Sequence, residues 1–268
     1  MRGAMFVQAY GDAARGLIGL AVFAAVLELL PRIGVVSHVY FPPISAIVVA
    51  LVHEAGRAAF WVSLFLTLRS WAVGLAIAVI AGTGVGLFIG SFETLRRLTA
   101  STIELLRPIP SVALIPLVVL LYGSTIRSTL VLVVYASVWQ VLIQVLYGVQ
   151  DVDPVARQTA VSFRFGRWGQ LRHVVWPTTL PYLMTGIRLA AAVALILTIT
   201  SELIIGAPGL GKQIALAQSG GAVATMYAYV LVTGLIGVAV NLVARVLERR
   251  VMHWHPSVRP SMHRARTP

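Results

Sequence analysis

The sequence predicts an all-α integral membrane protein with about six transmembrane helices. Three observations lead there. Of its 268 residues, 58% are hydrophobic and only 11% are charged, against about 25% charged in a soluble domain. The mean hydropathy is +0.88. Apolar runs near the roughly 20 residues needed to cross a bilayer recur at residues 13–30, 66–90, 103–122, 128–147, 182–205 and 226–246.

The elements follow in order. Arg2 and Arg15 precede the first apolar run, as in a signal peptide, but Glu28-Leu29-Leu30-Pro31-Arg32 follows it instead of a small-residue cleavage site, so it reads as an uncleaved and rather short first span. Val39-Tyr40-Phe41-Pro42-Pro43 leads into Ile44–Val52, which is too short to cross and is expected to lie along the outer surface. In the second span Gly82, Gly86 and Gly90 share one helix face, a stripe that lets a neighbouring helix approach closely. Pro108, Pro110 and Pro116 fall within the third span. Each removes a backbone donor, and carbonyls freed in hydrocarbon need protein or water over them, so this helix is expected to face the bundle interior. Arg69, Arg107, Arg188 and Glu202 are the charges closest to the membrane. Charge there is costly, which makes Arg107, Pro108, Pro110, Arg188, Ser201 and Glu202 candidates for a translocation path or gate; a structural ion pair is the alternative for Glu202, and Arg69 and Arg188 are near enough to span ends to snorkel.

The main polar interruption runs from Asp153 to Pro181. Asp153 suits an N-cap and Pro154 the first helical position; Gly166 can stop that helix, and a second short helix can run from Arg167 to Trp176, ended by Pro177. A capped helix pair between two spans suggests a docking surface for a soluble partner, with a solvated loop as the alternative. With the N-terminus inside, fourteen arginines, from Arg2 to Arg266, fall on the cytoplasmic side, and only Arg32, Arg57, Arg127 and Lys212 fall outside. The same orientation puts this loop in the cytoplasm. The stretch 251–268 reads as a basic cytoplasmic tail in which His253, His255 and His263 lack a fixed ligand geometry.

Several function classes drop out. The net charge of +12 is spread in short Arg clusters with no stacking aromatics, so no nucleic-acid partner is expected. Without cysteine there is no disulfide framework or thiolate metal site. Gly206-Ala207-Pro208-Gly209-Leu210-Gly211-Lys212 has phosphate-loop spacing, but Gln213 stands where a Ser or Thr would meet Mg²⁺; His53-Glu54 lacks the second His of a helical zinc site. No catalytic constellation and no cofactor or metal site is found. A polytopic membrane enzyme would need converging polar groups, and a secondary transporter of inverted repeats would show duplicated halves; neither pattern is present.

The loop resembles the EAA loop of ABC importer permeases, on Asp153-Pro154, Thr159-Ala160, Ser162, Arg167-Trp168, Val174-Val175, Pro177 and Leu180-Pro181, which implies a coupling role for these loop residues together with Phe163 and Gly166. Leu106–Leu117, Gly186–Ala190, Glu202 and Pro208–Gly211 are similar to further landmarks of the nitrate, sulfonate and taurine type, and the likeness covers residues 60 to 252. It implies the type I permease fold over residues 1–250, with 153–181 as the coupling loop. It also implies two ATPase subunits that hold ATP and Mg²⁺, an extracytoplasmic solute-binding protein, a second permease copy, and a bacterial inner-membrane location. Transport would follow alternating access, with no bond chemistry in this chain. The implied solute is small: a sulfonate, nitrate or vitamin precursor. A homodimer is the simpler expectation and a heterodimer with another permease the alternative. Two positions depart from the pattern: Gln158 replaces the family's Glu and Arg164 its loop glycine. Either the turn moves to Gly166, or the loop docks in an altered geometry.

Overall fold

The computed structural model describes the backbone of residues 2–252, with side chains from residue 15 onward apart from 17 and 20. The histidines of the expected tail lie outside the described residues. Eleven α-helices are described: α1 (Arg2–Arg32), α2 (Ile44–Ala55), α3 (Ala58–Ser91), α4 (Glu93–Leu106), α5 (Ile115–Tyr122), α6 (Ile126–Gln150), α7 (Pro154–Ser162), α8 (Arg167–Gln170), α9 (Trp176–Ile205), α10 (Leu210–Ser219) and α11 (Val223–Val251). Among the described residues, four helical segments are long and apolar enough to cross a membrane: Ala58–Ser91, Ile126–Gln150, Arg167–Ile205 and Val223–Val251. Counting α4 with α5 gives a fifth.

The chain divides into two compact units. In the smaller, Met1–Ser63 with Gln213–Val232, Glu28 accepts hydrogen bonds from the Ser45 N–H and hydroxyl, both 2.9 Å, and so caps the first turn of α2. Glu54 on α2 is buried, paired with Arg57 at 2.9 Å and accepting from the Tyr229 hydroxyl at 2.9 Å.

The larger unit, Leu64–Lys212 with Thr233–Pro268, is organised by α3, α6 and α9. Residues Gly74, Gly82, Gly86 and Gly90 lie against Val133, Val141, Val145 and Val149; a Cβ on Gly82 would come within 2.9 Å of Val141 Cβ, and on Gly86 within 2.8 Å of Val145 Cγ1. The glycine stripe is therefore a groove for the α6 valines, in keeping with the close backbone packing that holds membrane helices together. Both helices advance in step through this contact, so they are parallel. α9 runs the other way, with Gly148 against Thr179 and Gly186 against Val141. Val141, Val145, Val149, Val175, Leu183 and Ala190 fill the space between them.

Parallel packing of α3 and α6 obliges residues 92–125 to return the chain to the end where α3 began. They do so as a broken helix. The expected single span 103–122 is two helices bent by 78°, α4 and a second piece over Ser111–Tyr122. The cause is in the backbone: Pro110 has no N–H for the Leu106 carbonyl, which accepts instead from the Ile109 N–H at 3.3 Å and the Tyr135 hydroxyl at 2.8 Å. The prolines are not interior, since Pro108, Pro110 and Pro116 are all exposed; α5 packs through Ile115 and Val118 on Leu132 and Ile205.

The second short helix of the loop also differs from expectation. α8 passes through one π turn, Leu171–Val175, directly into α9, so Pro177 does not end it. Pro177 sits in the first turn of α9, where a missing N–H is tolerated. The Thr178 hydroxyl donates to the Val174 carbonyl at 2.9 Å, within the irregular turn.

Candidate functional site

The coupling-loop candidates form one hydrogen-bonded and mostly exposed structure. Asp153 caps α7, its carboxylate accepting from the Val155 N–H at 2.7 Å, with Pro154 at the first helical position. The helix ends in a Schellman pair: the Phe165 N–H donates to the Ala160 carbonyl at 2.9 Å and the Arg164 N–H to the Val161 carbonyl at 2.8 Å. That motif needs a left-handed residue, and Arg164 supplies it at φ 57°, alone among the described non-glycine residues. The turn has not moved to Gly166, which has φ −62° and begins α8. The Gln170 amide donates to the Phe165 carbonyl at 3.0 Å and ties α8 back to the turn.

This framework presents apolar side chains to solvent. Phe163 is 74% exposed and Trp168 73%, with Val155, Val161 and Phe165 also exposed and Arg157, Arg164, Arg167 and Arg172 around them. Gln158, Thr159 and Ser162 lie on the exposed side of α7, the Thr159 hydroxyl bonded back to the Val155 carbonyl at 2.8 Å. Ala160 is the exception: it is buried by the chain's own packing.

The path candidates are not gathered into one place. Arg188 pairs with Glu248 on α11 at 3.1 Å. Arg107 and Pro108 border a cavity of about 650 Å³ between α4 and α6. Ser201 and Glu202 lie near the end of α9, fully buried. Glu202 accepts from the Thr67 hydroxyl at 2.8 Å and the Gly211 N–H at 3.1 Å, while Thr67 Oγ1 accepts from the Leu210 N–H at 2.8 Å. The carboxylate and Thr67 thus cap the first turn of α10, satisfying donors that its helix cannot. Gly209, at φ 159°, and Gly211 leave room for this contact, because a Cβ on either would overlap Glu202. The Pro208–Gly211 turn that mimics a phosphate loop is packed against this carboxylate. Ser201 and Thr198 are bonded to carbonyls of their own helix.

Sequence reasoning missed Thr67, Tyr135 and the α6 valines. Thr67 lies 135 residues from Glu202 and carries no local signature. The valines at 133, 141, 145 and 149 could have been matched to the glycine stripe by their equal spacing. The described residues bring together no group of three His, Asp or Glu side chains able to hold a metal.

Parallel and antiparallel apolar helices joined at one end by a capped polar loop define a polytopic membrane protein. The chain belongs to the family of binding-protein-dependent transport system inner membrane components, whose model matches residues 74–253. It is thus the permease type of subunit. It is 30% identical over 244 residues to the taurine transport system permease protein TauC of Escherichia coli K12, covering 89% of each chain. It is 26% identical to the putative aliphatic sulfonates transport permease protein SsuC of Bacillus subtilis 168, over 91% of this chain and 88% of that one. Among solved structures, a chain of a bacterial ABC transporter involved in alginate import superposes with a TM-score of 0.64 at 13% identity, covering 91% of this chain and 99% of that one. That likeness concerns the fold.

Proposed function

We propose that this permease imports a small sulfonate-like, nitrate-like or vitamin-precursor-like solute, driven by ATP in a pair of separate ATPase subunits that hold the nucleotide and Mg²⁺. A solute-binding protein delivers the solute from outside. The observation that carries the coupling role is the 153–181 loop, with its exposed Phe163 and Trp168 held on a capped, hydrogen-bonded frame. Two bulky apolar side chains in a rim of arginines have the anatomy of an interface centre awaiting a groove.

In this reading six spans cross the membrane, both termini are cytoplasmic, and 251–268 is a basic cytoplasmic tail. The arginines support the orientation: Arg96, Arg97, Arg157, Arg164, Arg167 and Arg172 all lie toward the loop end of the larger unit, as do Arg249 and Arg250 on the α11 end paired to α9 through Glu248. Two copies pair around the path as a homodimer, since closed two-fold assemblies are commonest. The substrate class rests on the named relatives, a taurine and a sulfonate permease among them.

Co-expression with the ATPase and the binding protein tests the reading. ATPase subunits should co-purify with this chain, and the binding protein loaded with an aliphatic sulfonate should stimulate hydrolysis. Recovery of the chain without ATPase, or with it only when a second permease is present, would overturn the coupling or the homodimer respectively.

A further inference from the structure

The cavity between α4 and α6 has a basic lining that the path candidates Arg107 and Pro108 only touch at one end. α4 runs antiparallel to α6: Leu106 lies by Tyr135, and Ile103 by Leu142 and Leu146. Between them the cavity of about 650 Å³ is lined by Arg96, Arg97 and Arg107, with Glu104 as its only carboxylate and Tyr147 and Gln150 as further donors; Ala100, Ile103, Ile143 and Leu146 form an apolar wall. Of the three arginines, Arg97 is engaged by Glu93 at 2.5 Å. Arg96 and Arg107 have no ion-pair partner among the described residues, although each lies beside a chain otherwise dominated by hydrocarbon.

Free guanidinium groups beside an apolar wall make up an anion site with room for a nonpolar appendage. Guanidinium forks match the oxygens of phosphate or sulfonate in pairs. Arg96, on α4, and Arg107, its C-cap, are eleven residues apart, so at 1.5 Å rise their backbones are separated by roughly 16.5 Å along the helix axis. They flank the cavity from two levels and do not crowd at one point. A basic pocket between spanning helices is also the feature that collects anionic headgroups from a bilayer.

We propose that this elongated cavity binds phosphate- or sulfate-type oxyanions, with Arg96 and Arg107 as separate ligands at its two levels. The group is supplied by an anionic phospholipid headgroup, its chains along Ile103 and Leu146, or by a free ion. The site neighbours the break at residues 107–110, so its occupant bridges α4 and α6 where the broken span is least held by its own backbone.

The test uses the full chain with its ATPase subunits, and its readout is binding, so it stands apart from any failure of transport. In one arm the complex is placed in nanodiscs of phosphatidylcholine with or without phosphatidylglycerol, and retained lipid is measured by native mass spectrometry. In the other, melting of the detergent-purified complex is followed in sodium sulfate against sodium chloride at equal ionic strength. Preferential retention of phosphatidylglycerol assigns the lipid source; a sulfate-specific rise in melting temperature assigns the free ion. Arg96→Gln and Arg107→Gln should each weaken the observed binding about fivefold, the effect of removing one arginine beside an anionic surface. Arg→Lys at each position should restore part of it, and Arg245→Gln, outside the cavity, should change nothing. Equal retention of both lipids together with no sulfate-specific shift would overturn the site. So would binding that survives the Arg96→Gln/Arg107→Gln double variant, which alters one half-buried and one exposed residue and leaves the packed core alone.

Discussion

The larger unit carries two polar islands in an apolar molecule, and they are built on opposite rules. Around Glu202 most polar groups turn inward: the Thr67 hydroxyl and the Gly211 N–H donate to Glu202 Oε2 and the Leu210 N–H to Thr67 Oγ1, with no exposure at Glu202, and only its Oε1 is left without a hydrogen-bond partner. At the 153–175 loop the backbone is equally well bonded, yet the side chains face out, with Phe163 and Trp168 given to solvent. A buried polar cluster secures the fold, because each unpaired member would carry its desolvation cost. An exposed apolar cluster on a rigid frame contributes little to the fold and is available to a partner. Substitutions at the first should therefore unfold the protein, and substitutions at the second should leave it folded and idle.

The largest expected effect is at the buried island. Glu202→Ala leaves the Thr67 hydroxyl and the Gly211 N–H without their acceptor and opens a cavity, a loss of about 2–4 kcal/mol. Thermal unfolding of the detergent-solubilised protein measures it. Glu202→Gln keeps size and one acceptor oxygen, so it should retain most of the stability. Loss of transport in a stably assembled Glu202→Gln protein would show that the charge acts in translocation and that the comparison above is incomplete.

Next in size is the helix groove. Gly86→Leu forces a side chain into the space of Val145 and should cost about 1–3 kcal/mol or more by overpacking. Gly84, one helix face away, has nothing within 4 Å of a new Cβ, and Gly84→Ala should be close to neutral. Equal destabilisation by the two changes would mean that the α3–α6 contact is not the one described.

These positions also show what the sequence could and could not express. The four-residue glycine repeat, the Asp153-Pro154 start and the apolar runs of α6 and α9 are local patterns, and each was legible as such. Pro108 and Pro110 were legible as a disturbance, but neither the 78° bend nor the bond from Tyr135, on another helix, to the Leu106 carbonyl has a local signature. Pro177 read as a stop because proline breaks helix interiors, whereas here it falls in the first turn of α9 after a π turn. Glu202 was recognisable as an expensive charge; its partner was not, because a lone threonine in an apolar run says nothing about what it will meet. Ala160 sits in the loop motif, yet it is covered by its own chain, so Ala160→Asp would disturb folding and docking together. The exposed aromatics separate the two.

At the loop, Phe163→Ser with Trp168→Ser should leave the melting temperature within experimental scatter while reducing stimulated ATPase activity by at least about thirtyfold, the loss of roughly 2 kcal/mol expected of a central interface residue. A double variant that retains full stimulation would remove the loop from coupling. One that melts early would show that the aromatics belong to the fold after all.

The smallest effect is the sharpest test of the loop's construction. Arg164 holds the left-handed position of the Schellman pair at φ 57°, a conformation that costs an ordinary residue about 1 kcal/mol or more and glycine almost nothing. Arg164→Gly should thus stabilise the turn by up to about 1 kcal/mol, offset in part by the greater freedom of glycine in the unfolded chain. Hydrogen exchange at the Phe165 and Arg164 amides, which donate to Ala160 and Val161, reads this locally where a global melt would miss it. Slower exchange with unchanged ATPase coupling would mean that the arginine is merely accommodated. Slower exchange with weakened coupling would mean that the strained residue is kept for its guanidinium, as part of the basic rim around Phe163 and Trp168. Faster exchange would contradict the geometry, because it would require an arginine to hold a left-handed turn better than glycine does.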